Sequence, residues 1–153
     1  MTEKLEKQLV EDFPFLKKTY PFYGEGDIEI IKMLRTYGIQ CSEGWYDLLH
    51  NLCAEITDAY ADAGRTIDME ILRIKEEFGR LCFYYKFAEN HNSDFERKIS
   101  DIVYKYCRES FYTCEECGAR GERRSDEETM WQRTLCDDCY EALLREDEEY
   151  WDD

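Results

Sequence analysis

Two Cys-x-x-Cys pairs, Cys114/Cys117 and Cys136/Cys139, stand 18 residues apart near the end of a 153-residue chain. Each pair makes a tight knuckle, and four thiolates at this spacing complete a tetrahedron around one metal ion. Gly118 directly after the first pair permits the turn that aims backbone amides at the sulfurs. Between the pairs, ARGERRS and TMWQRTL have the composition to pair as strands around SDEE, and CDDCYEALLREDEEYW starts a helix at the second pair. Knuckle, hairpin and helix in that order form a treble-clef-like zinc module. Four cysteines close the coordination shell, so the expected zinc is single and structural, with no open position for a catalytic water. A redox pair would need a thioredoxin-like βαβ frame, which the surrounding pattern lacks.

Charge limits the partner. The chain carries 20 basic and 36 acidic side chains, net −16, and residues 114–153 hold 5 basic against 15 acidic, net −10. Nucleic-acid binding requires Lys and Arg to displace counterions, so this balance disfavours it. Arg120, Arg123, Arg124 and Arg133 keep a nucleic-acid-binding zinc regulator as the alternative, if they gather on one face of the hairpin. No apolar run reaches the length of about 20 residues that spans a bilayer, and MTEKLEKQLVEDF lacks the basic and apolar regions of a signal peptide. The expectation is a cytoplasmic chain without a membrane partner, in which eight cysteines serve as thiols and ligands and not as a disulfide framework.

The remaining chain reads as a helix-rich α+β core. Leu5, Leu9 and Phe13 recur at helical spacing until Phe13-Pro14 ends the pattern. FPFLKKTYPFYGEGD reads as irregular chain, its GEG a turn and not a phosphate loop, and Asp27 caps a helix carrying Ile28, Ile31 and Leu34. The clearest helix starts at Ser42 as N-cap, buries Trp45, Leu48, Leu49, Leu52, Ile56 and Tyr60, and stops at Gly64. His50 and Cys53 share that helix without a second pair to complete a metal site, so Cys53 reads as a buried thiol. His91 reads as solvated in a turn. Residues 68–87 read as a hairpin with Leu72, Ile74, Leu81, Phe83, Tyr85 and Phe87 on one face, with a helix through ILRIKEEF the competitor. Ser93, with Glu96 in a capping box, opens a helix burying Phe95, Ile99, Ile102, Val103 and Tyr106. It runs so close to Cys114 that the metal module is expected to dock on the core. Cys41, Cys53, Cys82 and Cys107 occur singly and do not form a second zinc site.

SEGWYDLLHNLCAEI, IKEEFGRLCFYY and the Cys-x-x-Cys-Gly with WQRTLCDDC together resemble a set of small uncharacterised proteins of bacteria, phages and prophages. These carry a Gly-Trp-Tyr helix start, a Lys-x-x-Phe-Gly-x-Leu-x-Phe-Tyr-Tyr segment and a terminal zinc motif. The resemblance covers roughly residues 40–139 and implies the zinc site but no activity. The long N-terminal segment and EALLREDEEYWDD depart from it.

The reading is therefore a core over residues 1–113, a four-cysteine zinc module over 114–145 and an acidic tail over 146–153. Its function is a non-enzymatic protein-interaction module, in which Glu146, Asp147, Glu148, Glu149, Tyr150 and Trp151 dock on a protein with a basic surface. A nucleic-acid-binding host protein has such a surface, and a phage-encoded antagonist of a host nuclease or defence complex would exploit it. An enzyme with a pocket around Trp45, Tyr46 and Tyr84 is the third class.

Overall fold

The computed structural model describes residues 1–19 and 39–151, with side-chain burial described through Leu16 and, after residue 38, up to Glu148 except at Asp147. The helix expected behind Asp27 and the GEG turn lie outside these residues. The chain opens with α1 (Glu3–Asp12), whose N-cap Thr2 accepts from the Leu5 amide, and a 3₁₀ turn (Pro14–Thr19) follows where Pro14 ends the α-helix. Leu9, Phe13, Phe15 and Leu16 are buried, so this segment belongs to the core.

A three-stranded sheet carries the order β1-β2-β3, with β1 (Ile39–Gln40), β2 (Met69–Glu77) and β3 (Arg80–Phe87). β1 runs parallel to β2, and β2 pairs antiparallel with β3 from Met69↔Phe87 to Glu77↔Arg80. Residues 68–87 thus form the hairpin, not the competing helix. The register shifts between Ile71 and Arg73, and this bulge turns Leu72 outward, 53% exposed, while Met69, Ile71 and Ile74 face the core. Strict alternation had placed Leu72 inside; one extra residue moves it to the other face.

α2 (Tyr46–Asp62) packs on α3 (Ser93–Glu109), which lies against β3, and both helices share one core with the sheet. Trp45, Leu52, Cys53, Ile56, Tyr60 and Ile99 are almost wholly buried between them. The expected caps shift by a few residues. Ser42 precedes a 3₁₀ turn (Glu43–Trp45), and its hydroxyl donates to Glu116 Oε1 at 3.2 Å instead of capping α2. For α3 the N-cap is Asn92, whose Oδ1 accepts from the Phe95 amide at 2.8 Å, and Ser93 is the first helical residue.

His91 is not solvated: its side chain is 5% exposed, and Nε2 lies 2.8 Å from Asp68 Oδ1. Asp68 also accepts from Tyr60 Oη at 2.7 Å and from the Glu89 amide at 2.9 Å. Burial works to raise the Asp68 carboxyl, but these donors and His91 outweigh it and hold the carboxyl below its usual value. Arg65 lies against His91 Nδ1 and over the Phe95 ring. Because guanidinium only donates, Nδ1 accepts and Nε2 donates to Asp68. A fully partnered cluster thus ties α2, β2 and the start of α3 together.

The chain ends with a 3₁₀ turn (Ser110–Tyr112), the hairpin β4 (Glu122–Asp126) and β5 (Trp131–Leu135), and α4 (Asp137–Trp151). The expected break between residues 145 and 146 falls inside α4. Among the described residues, no helix is long and apolar enough to cross a membrane.

Candidate metal centre

The four ligand atoms of Cys114, Cys117, Cys136 and Cys139 all lie within 4.8 Å of one another, with no disulfide among them. The sequence-predicted set therefore converges at one point and is compatible with a metal ion. Among the described residues, no other His, Cys, Asp and Glu group has this geometry. Cys114 is buried and Cys117 exposed, so the site sits at the boundary between core and solvent.

Local turns set the geometry. Gly118 adopts φ +83° and donates its amide to the Cys114 carbonyl at 2.9 Å, closing the first knuckle. The second pair spans the start of α4, where the Cys139 amide lies 3.4 Å from Cys136 Sγ. Burial works against ionising Cys114, but backbone N–H groups of Cys136, Cys117 and Glu116 outweigh it and bring the thiol down to about 7. Burial, followed by the neighbouring sulfurs, pushes Cys139 up. Four crowded thiols cannot ionise together without a cation between them, which is the chemistry of a metal-ligand set.

The centre is tied into the core by residues that spacing alone did not single out. Gly44 donates its amide to the Glu115 carbonyl at 2.7 Å, and a Cβ at Gly44 would sit 2.2 Å from the Cys114 carbonyl oxygen. Only glycine lets the two backbones approach this closely. Trp45 Nε1 donates to the Thr113 carbonyl at 2.9 Å. Glu115, 4% exposed, accepts from the Ser42 amide at 3.0 Å and from Arg133 Nε at 3.3 Å. Thr134 donates to the Gly79 carbonyl at 2.6 Å, and Ser110 Oγ accepts from the Leu81 amide at 2.8 Å. Three separated stretches, around Gly44-Trp45, around Gly79 and around the cysteines, therefore meet at one junction. The visible signals were a glycine before Trp45, a glutamate inside the first knuckle and an arginine three residues before Cys136.

The hairpin arginines do not form one free basic face. Arg133 pairs with Glu115 and Glu116, and Arg124 pairs with Asp137 at 2.6 Å while lying 4.7 Å from the Tyr140 ring centroid. Arg120 lies over Tyr112 and Arg123 over Phe111, each at 5.7 Å. Trp45 is wholly buried and Tyr84, 43% exposed, donates to Glu77 Oε2. The expected pocket around Trp45, Tyr46 and Tyr84 is thus filled by the core on the Trp45 side.

Of the residues read as partner-binding, Glu146 and Glu148 are exposed on α4; Asp147, Glu149, Tyr150 and Trp151 continue that helix. No family model matches the chain, and neither a curated protein nor a solved structure does.

Proposed function

We propose that the chain is a non-enzymatic interaction protein in which a structural zinc ion fixes the base of an acidic helix that docks on a basic protein surface. The observation that carries this reading is α4 itself. Its first turn is held by Arg124 through Asp137 and Tyr140, while Glu141, Leu144, Glu146 and Glu148 beyond it are exposed. An exposed, acid-rich helix rooted on a rigid knuckle is suited to electrostatic capture of a Lys and Arg surface.

Zinc is the metal the donor set favours, since four thiolates are soft ligands and select Zn²⁺ over hard cations. A tetrahedron of Zn–S bonds of about 2.3 Å has sulfur–sulfur edges of about 3.8 Å. The Cys117–Cys136 separation of 3.7 Å fits that edge. The order of knuckle, hairpin and helix supports a treble-clef-like module. With the shell closed by sulfur, the zinc holds structure and performs no chemistry.

A nuclease or defence complex, whose groove receives phosphates, is the class of partner that the carboxylates of α4 fit. The nucleic-acid-regulator reading is weakened because Arg124 and Arg133 are committed to carboxylates within the chain. The test compares the full chain with a chain lacking residues 146–153 in pull-downs from host lysate at low and high salt. Both should hold zinc, and the shortened chain should lose most of the salt-sensitive partner. Undiminished capture by the shortened chain would overturn the reading.

A further inference from the structure

At the end of β2 and β3 away from the metal centre, residues 63–68 after α2 and residues 88–92 before α3 run side by side. A cleft of about 670 Å³ opens there, with Arg65, Asp68, Glu70, Glu89 and His91 in its walls. Small-molecule sites run from about 300 to 1,000 Å³. Asp68 joins the two connections: its carbonyl accepts from the Ala88 amide at 3.3 Å, and its carboxylate takes the Glu89 amide and His91 Nε2. Arg65 meets the same cluster from the other side, at His91 Nδ1.

Most of the charge in this cleft is already matched. Asp68 is occupied by Tyr60, His91 and the Glu89 amide, and Glu70 pairs with Lys86 at 3.1 Å. Arg65 and Glu89 are the exceptions: among the described residues neither has an ion-pair partner, and they do not pair with each other. The His91 contact uses one N–H of the Arg65 guanidinium and leaves the rest of its fork without a protein acceptor among the described residues. The guanidinium also lies over the Phe95 ring at 5.1 Å, so ring and imidazole fix it before any ligand arrives.

That arrangement selects the ligand. A guanidinium fork takes a carboxylate bidentately. A polyanion is opposed by the chain's net −16 and by the acids in the same walls. A zwitterion has no net charge to repel, and its ammonium finds an unpaired carboxylate at Glu89. Ile67 and Ala88 add apolar wall for a side chain. We propose that the cleft binds a free α-amino acid, its carboxylate on Arg65 and its ammonium on Glu89. The site goes beyond the docking role of α4, since neither the cysteines nor that helix contributes to it.

The experiment is calorimetric titration of the zinc-loaded full chain with individual free L-amino acids, followed by the N-acetyl and the carboxamide form of each that binds. At least one free amino acid should bind, and each blocked form should bind about tenfold or more weakly, as expected for loss of a charged hydrogen-bonding group. Arg65→Gln and Glu89→Gln should each weaken binding by about the same factor, with helicity and zinc content unchanged. Arg65→Gln also removes the Phe95 stack, so Glu89→Gln, at an exposed loop residue, tests the site without touching the core. Absence of binding by every free amino acid, or undiminished binding by the folded Glu89→Gln variant, would overturn the assignment. Full affinity for an N-acetyl form would overturn it in favour of a plain carboxylate site, and full affinity for a carboxamide in favour of an amine site.

Discussion

Gly44 shows how one missing side chain joins the core to the metal centre. Its amide bonds the Glu115 carbonyl, and any Cβ would collide with the Cys114 and Glu115 carbonyl oxygens at 2.2 and 2.4 Å. Both contacts are backbone atoms, so the strain has no side chain to absorb it. Gly44→Ala should destabilise the chain by about 1–3 kcal/mol and weaken its hold on metal, because the first knuckle must shift to admit the methyl group. Urea unfolding followed by tryptophan fluorescence, with a chelator competition alongside, measures both, and unchanged values would show that the junction is not rigid. The four cysteines were readable from spacing because metal coordination demands fixed ligands at short range. Gly44, Glu115 and Arg133 were not, since their roles depend on which distant segments the fold brings together. His91 is the same lesson reversed: a polar turn in sequence, it is buried because Asp68 and Arg65 supply partners from the other end of α2 and the start of β2.

The elements themselves followed from local pattern wherever burial is periodic. α2 and α3 have the expected apolar stripes, and Gly79 marks the β2–β3 turn. Boundaries drifted where two adjacent residues compete for one role, as Asn92 and Ser93 did for the cap of α3. Leu72 escaped because a bulge leaves no trace in a short alternating run. The β2–β3 turn places Phe78 at φ +53° and Gly79 at φ +81°, the backbone of a two-residue turn that favours Asn-Gly. Phe78 is 66% exposed and so contributes little burial to offset its backbone cost. Phe78→Asn should therefore raise stability by about 0.5–1 kcal/mol, since asparagine adopts left-handed backbone more readily. An increased urea midpoint at unchanged m-value would agree; a lower midpoint would mean that the ring packs better than its exposure indicates.

Across the whole molecule, the core supplies a platform, the cysteines a staple, and α4 a charged surface rooted on that staple. Net charge is the ground on which a basic partner is proposed, whereas the division at residue 146 did not follow from composition, because acidic residues continue a helix as readily as they form a tail. The proposed zinc would link local stability to the proposed docking role, since structural zinc contributes on the order of 10–16 kcal/mol of apparent binding energy in small modules. Removing it should loosen the hairpin and the base of α4 together with the contacts to Gly44 and Gly79. Native mass spectrometry of the purified chain measures the premise directly. One zinc per chain, lost when Cys136 and Cys139 are both changed to serine, is the predicted result; a metal-free wild type, or zinc retained by that double variant, would contradict it.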